Sequence, residues 1–347
     1  MAARENSHPL FQHYPQLTSS LPIVPFGTPP SPVRRLVSLE RHAGTGEIWL
    51  KNDGLYGTVY GGNKARKLEF ILAEALRRRV ATVITFGGLG SHHCLATALY
   101  ARQVGLRSSV VLVDQPITEE VNESLRRLEE SGARLYRTGS ESAVRATLLA
   151  GWLVLHHARW RRPRLPYMIW PGGSTALGSV GYVNAALELA EQVRRGNLPA
   201  PRSIFVSLGS NGTAAGLLLG LRLAGLDSRL VAAKVSQYPT VSAGGVARLA
   251  NRTAALLRSR GADVPAPHFR SRDLTVIDGF IGAGYGHPTP EGEAAKALLQ
   301  ESEGLGLDLT YTAKTVAALL APISQRAISE GPILYWHTLN ALPLPGE

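Results

Sequence analysis

What most constrains this chain is a recurring unit: a short, continuously apolar run, a glycine-rich turn, then a stretch with helical spacing. Residues 82–86 (TVITF) run into Gly87-Gly88 and a helical pattern from about 92 to 104. Residues 204–208 run into a glycine loop at 209–212 and a helical pattern over 213–224. Between these stand further apolar runs at 109–113, 134–136, 167–170, 230–235 and 275–277, and helical patterns at 67–78, 122–130 and 178–194. Strands that are apolar on both faces and alternate with helices predict parallel sheets covered on both sides. The grammar begins near residue 48, restarts after about 167 and has no fixed period, which predicts two α/β lobes, the second larger, with a ligand cleft between them. Residues 21–33 carry five prolines and are expected to lie extended over the body.

Composition narrows the class. With 44% hydrophobic and 18% charged residues, the chain can bury a large core and is not disordered. No apolar run approaches the roughly 20 residues of a membrane span. No signal peptide is evident, and the single cysteine, Cys94, excludes an internal disulfide and a multi-cysteine metal site, so a reducing cytoplasm and no metal are expected. The net charge of +11 invites a nucleic-acid partner, yet the arginines are scattered and the one tight cluster, residues 159–164, reads as a solvated loop. A basic surface equally suits anionic small ligands.

Three glycine-flanked constellations carry candidate chemistry. In 61–69 (GGNKARKLE) the glycines allow a sharp turn, Asn63 is placed to cap a helix, and Lys64 falls in its first turn beside two other cations. That setting disfavours an ammonium and favours an amine nucleophile, although an ordinary capped helix with a surface lysine has the same pattern. In 207–216 (SLGSNGTAAG), backbone N–H groups, the Ser210 and Thr213 hydroxyls and a helix start form an anion nest or merely a tight turn. In 87–93 (GGLGSHH), Ser91 and His92 begin a helix and offer groups for a carboxylate or a ring oxygen, or simply cap it.

Taken together with 166–189, 282–289 (GAGYGHPT), 307–314 (LDLTYTAK) and 333–343 (ILYWHTLNALP), these segments resemble, in order and across both lobes, the D-cysteine desulfhydrase and aminocyclopropane-carboxylate deaminase family. The resemblance implies pyridoxal 5'-phosphate as cofactor, a tryptophan-synthase-β-like fold, a small amino-acid substrate and a homodimer. It implies a large domain from 1–64 and 171–347 and a small one from 65–170. It further implies that Lys64 forms the internal aldimine and that Gly209, Ser210, Asn211, Gly212 and Thr213 hold the phosphate. Ser91 would meet the substrate carboxylate, Tyr285 and Tyr311 would approach the substrate, and Thr338 would face the pyridine nitrogen. Thr312 and Thr338 match the desulfhydrase side of the family, implying elimination from D-cysteine; cyclopropane opening and a cofactor-binding protein with little turnover are the alternatives. The chain also departs from the family pattern. His92 replaces an asparagine that meets the ring phenolate, and an imidazole there would titrate near neutrality unless perturbed. Gly54 replaces an acidic residue, and Leu309, Ala313, Leu339 and Asn340 are likewise atypical.

Overall fold

The apolar runs form the strands of two sheets. In the computed structural model, which describes residues 8–160, 165–324 and 331–343, the larger sheet has six strands. They are β1 (Val33–Arg35), β2 (Ile48–Asn52), β7 (Ser203–Leu208), β8 (Arg229–Lys234), β9 (Thr275–Ile277) and β10 (Ile333–His337), in the order β1-β2-β10-β7-β8-β9. The smaller sheet orders β3 (Thr82–Gly88), β4 (Arg107–Val113), β5 (Arg134–Arg137) and β6 (Tyr167–Ile169) as β5-β4-β3-β6. Every pairing is parallel except β1 with β2, an antiparallel edge outside the expected pattern. All five residues of β10 are buried, as a central strand covered on both faces requires.

The helices are α1 (Pro9–His13), α2 (Val37–Ala43), α3 (Asn63–Arg77), α4 (His92–Gln103), α5 (Glu119–Glu130), α6 (Ala143–Trp160), α7 (Ala176–Arg194), α8 (Gly212–Leu223), α9 (Ala243–Ser259), α10 (Pro290–Glu303) and α11 (Thr312–Ser324). Hydroxyl caps set several starts: Ser91 accepts from the N–H of Cys94 at 3.3 Å, Thr118 from Val121 at 3.3 Å and Thr175 from Gly178 at 3.1 Å. The Thr118 cap explains why α5 begins at 119 rather than at the expected 122. Residues 22–32 are indeed irregular, and Glu69 of α3 clasps them, accepting the N–H groups of Phe26 at 2.9 Å and Gly27 at 3.2 Å and the Tyr56 hydroxyl at 2.9 Å. Of the basic cluster at 159–164, residues 161–164 lie outside the described residues.

Two features seat α3, the helix that opens with the Lys64 motif. Helices α3, α7 and α8 meet backbone to backbone: a Cβ on Gly181 would stand 2.1 Å from the Arg66 carbonyl oxygen, and one on Gly216 would stand 2.3 Å from that of Ser179. Beneath them lies a buried ionic cluster. Arg66 donates to Asp53 at 2.8 Å and to Glu188 at 2.9 Å, while Lys51 meets Glu188 at 2.6 Å. Tyr182 and Trp336 each donate to the second Asp53 oxygen at 2.7 Å. Burial alone would raise the Glu188 carboxyl, but Arg66 and Lys51 overcome it and hold the group at about 2. Two cations face two anions, so the cluster is neutral and joins α3, α7, β2 and the segment after it.

Candidate active site

The strands β3, β7 and β10 deliver their following loops to one cavity of about 440 Å³. Eleven of the twelve residues singled out from the sequence line it: Asn63, Lys64, Ser91, His92, Gly209, Ser210, Asn211, Thr213, Tyr285, Tyr311 and Thr338. Gly212 stands just behind the wall, its N–H directed to the Ser174 hydroxyl at 3.2 Å.

Lys64 is the second residue of α3, and its ammonium donates to the Asn63 amide oxygen at 2.6 Å. Burial lowers it to about 8, with Asp308 opposing the shift. The two neighbouring cations therefore do not set the amine's acidity: Arg66 spends its charge on Asp53 and Glu188, and the low dielectric around Lys64 does the work. Asn63 is not the helix cap, since Gly62 occupies that position and no side chain caps it. The Asn63 amide instead bridges Lys64 and the Thr213 hydroxyl, 3.0 Å away, while its backbone N–H meets the Thr338 carbonyl at 3.2 Å. One residue thus ties the amine to both the glycine loop and the end of β10.

The glycine loop turns through Asn211, whose φ of 61° is unusual for a residue with a side chain. Its own amide holds it there, donating to the Thr240 carbonyl at 2.8 Å and accepting from the Ser242 N–H at 3.3 Å. Thr213 and Ala214, in the first turn of α8, then line the cavity, where a helix start leaves N–H groups without intrahelical partners. Two groups absent from the sequence reading join this loop. Ser174 donates to Ser210 at 2.9 Å, and the buried Lys67 ammonium donates to the Gly172 carbonyl at 3.0 Å. A Cβ on Gly212 would lie 2.7 Å from the Ser174 oxygen and 3.1 Å from Lys67 Nζ, so both side chains stand against the helix start. Hydroxyls, helix-start N–H groups and the Lys67 amine, which burial and Lys64 make less basic and which bonds no carboxylate among the described residues, make a donor set suited to a phosphate. Lys67 was discoverable, because it lies one helical turn beyond Lys64 on the same face.

Tyr285 and Tyr311 share a short hydroxyl–hydroxyl hydrogen bond, their rings edge to face at 5.9 Å, and the Tyr311 ring lies against the glycine loop, 3.1 Å from where a Cβ on Gly209 would stand. Burial pushes both phenols up, so neither ionises readily. Asp308, also in the wall, accepts the N–H groups of Tyr311 at 2.7 Å and Thr310 at 3.0 Å and the Thr312 hydroxyl at 2.7 Å, which fixes Tyr311 at the start of α11. His92 is pushed below its ordinary value, first by burial, with Lys64 adding to the effect and Asp308 and Glu120 opposing it. The near-neutral titration expected of a free imidazole is thereby displaced towards acid, and the ring is neutral at pH 7.

The atypical residues at the end of β10 belong together. A Cβ on Gly54 would stand 2.5 Å from the Leu339 carbonyl oxygen, and the Gly54 carbonyl accepts the Ala341 N–H at 2.9 Å. Asn340 in turn accepts the Gly61 N–H at 2.5 Å. A glycine at 54 and an asparagine at 340 let residues 339–341 lie directly on the glycine turn.

Comparison with known proteins agrees with this architecture. Residues 24–338 match the family model described as pyridoxal-phosphate dependent enzyme. The chain is 36% identical over 314 residues to a D-cysteine desulfhydrase of Klebsiella pneumoniae (strain 342), covering 90% of this chain and 92% of that one. It is 35% identical over 319 residues to a D-cysteine desulfhydrase of Serratia proteamaculans (strain 568), covering 90% and 91%. Among solved structures, an ACC deaminase homologue superposes with a TM-score of 0.82 at 29% identity, covering 96% of this chain and 95% of that one.

Proposed function

Because the chain belongs to the pyridoxal-phosphate-dependent enzymes, we propose that this lyase eliminates the β-substituent of a small amino acid, with D-cysteine as substrate and water entering to give pyruvate, ammonia and sulfide. The observation that carries the reading is a single cavity joining a buried amine held at about 8 to a phosphate-suited helix start. When bound, pyridoxal phosphate supplies a ring that withdraws electrons and makes an amino acid's α-proton removable.

The residues divide the remaining work. Lys64, whose amine burial brings within reach of its neutral form, is the residue that would hold the cofactor covalently and whose free amine would take the α-proton. Asn63 aims it. Gly209, Ser210, Asn211, Gly212 and Thr213, with Ser174 and Lys67 behind them, hold the phosphate. Ser91, whose oxygen caps α4 by accepting the Cys94 N–H, lines the cavity and would turn its hydroxyl to the substrate carboxylate. Tyr285 and Tyr311, protonated as a pair, flank the substrate and can pass a proton between them. Thr338, which lines the cavity, would be a neutral partner for the pyridine nitrogen, and a neutral partner there would temper the electron sink and suit prompt departure of a good leaving group.

The same reading takes residues 1–64 and 171–347 as the large domain, 65–170 as the small one, and the active species as a homodimer. A cytoplasmic setting accords with one buried cysteine, and no described helix is long and apolar enough to cross a membrane. The test is keto-acid release across D- and L-amino acids and aminocyclopropane carboxylate, beside Lys64→Ala. Release from D-cysteine that Lys64→Ala abolishes is expected. Release from the cyclopropane alone, or from nothing, overturns the proposal.

A further inference from the structure

One contact in the cavity has no task in the mechanism above: the Tyr60 hydroxyl lies 2.6 Å from Nδ1 of His92. Both residues line the cavity, with Tyr60 immediately before the glycine turn and His92 at the first position of α4. Tyr60 is 3% exposed, and its backbone carbonyl is gripped by the Tyr100 hydroxyl at 2.5 Å, so the phenol is rigidly held. Among the described residues, the Tyr60 hydroxyl has no other hydrogen-bond acceptor, and Nε2 of His92 has no hydrogen-bond partner.

The direction of this bond follows from proton counting. A phenol carries one hydrogen, and burial pushes Tyr60 well above its ordinary range, so the hydrogen stays. Were Nδ1 protonated, it would donate to the phenol oxygen and strand the phenol hydrogen in a buried place without an acceptor, a cost of about 1–3 kcal/mol. Donation from the phenol to Nδ1 strands nothing. A neutral imidazole then has its single N–H on Nε2.

We propose that Tyr60 is a positioning residue whose hydroxyl, donating to Nδ1 of His92, fixes the imidazole as the Nε2–H tautomer and makes Nε2 the hydrogen-bond donor that the cavity offers to the phenolate oxygen of the bound cofactor. This rests on the reading of the cavity as the pyridoxal phosphate site. It gives the atypical histidine a definite chemistry. With Nδ1 occupied, His92 offers one N–H, as the asparagine amide it replaces would. In the other tautomer a lone pair would face the phenolate and repel it.

The test is nitrogen-15 NMR of the full chain labelled at histidine, with and without pyridoxal phosphate, His92 being identified by the resonances lost in His92→Asn. Wild type is expected to show an Nε2–H imidazole with an accepting Nδ1 in both forms. Tyr60→Phe, which keeps the ring and removes the donor, should shift Nδ1 towards a free lone pair. In the loaded protein Tyr60→Phe should also move the cofactor's visible band, and the movement should vanish when the change is made in His92→Asn. A wild-type His92 protonated at Nδ1 overturns the proposal without any variant. So does a Tyr60→Phe band shift of equal size in both backgrounds, which a merely structural role would produce. Failure of D-cysteine turnover with the tautomer confirmed would sink the substrate assignment and leave Tyr60 in its role.

Discussion

Replacing Glu188 with glutamine tests how the active-site helix is seated. In the folded chain this carboxylate accepts from Lys51 at 2.6 Å, from Arg66 at 2.9 and 3.0 Å and from the Ser31 N–H at 2.8 Å, with almost no solvent contact. A carboxyl held at about 2 instead of its ordinary 4.5 contributes on the order of 3 kcal/mol at neutral pH. Glutamine keeps the volume but leaves Lys51 and Arg66 sharing Asp53 alone, one buried positive charge in excess, and a broken buried pair costs about 3–5 kcal/mol. Both routes agree on a loss of about 3 kcal/mol in urea unfolding at pH 7. Removing the surplus charge with Lys51→Met in the same chain should recover more than about 1 kcal/mol of it. The acid limb gives a second check. Because the folded group is depressed, its contribution is complete above about 4.5 and disappears as the pH falls towards about 2, so wild type loses this stability across that window and the variant has none to lose. A loss under about 1 kcal/mol, or no recovery in the double variant, would refute the view that these charges are compensated as a set.

Three further outcomes are expected. Borohydride reduction of the loaded protein should label Lys64 alone, and in the cofactor-free chain its labelling by an amine reagent should rise as pH increases through about 8 and then level off; label on Lys51 or Lys67 would move the site. Gly212→Val, whose side chain would displace Ser174 and Lys67 at a cost of about 1–3 kcal/mol, should weaken cofactor binding roughly 5- to 150-fold while far-ultraviolet dichroism is unchanged. Since burial keeps His92 neutral at pH 7, wild type and His92→Asn should show no different inflection in the cofactor's visible band between about pH 6 and 7, where an unperturbed histidine would titrate.

The strand–turn–helix grammar made the parallel sheets legible, because strands such as β3 and β7 are buried on both faces and advertise it by unbroken apolar runs. The glycine turns were legible for a related reason, since a backbone that must pass close to another chain segment excludes side chains. Strand β1 was hidden, as its VRR sequence is an exposed edge held by pairing rather than by burial. Within the cavity, Lys64 could be found from its local frame, but the cause of its lowered basicity could not: the cations that seemed responsible are neighbours in sequence, and Arg66 faces away into the ionic cluster. Tyr60, Ser174 and Asp308 carried no local mark. Ser174 and Asp308 enter the site only because distant elements bring them there, the loop before α7 and the turn before α11, while Tyr60 adjoins the glycine turn but meets its partner His92 only through the fold.

The place of β10 has a consequence for the order in which the molecule can be built. The strand made last among those described lies in the middle of the larger sheet, between β2 and β7. Until it arrives, a growing chain exposes two open sheet edges, β2 and β7, each an unpaired row of N–H and C=O groups inviting another chain. The backbone link from Asn63 to Thr338 is missing for the same interval. The cofactor site therefore closes in the same event that closes the sheet, and a nascent chain stalled before residue 333 has every glycine loop already synthesised but no complete pocket to load.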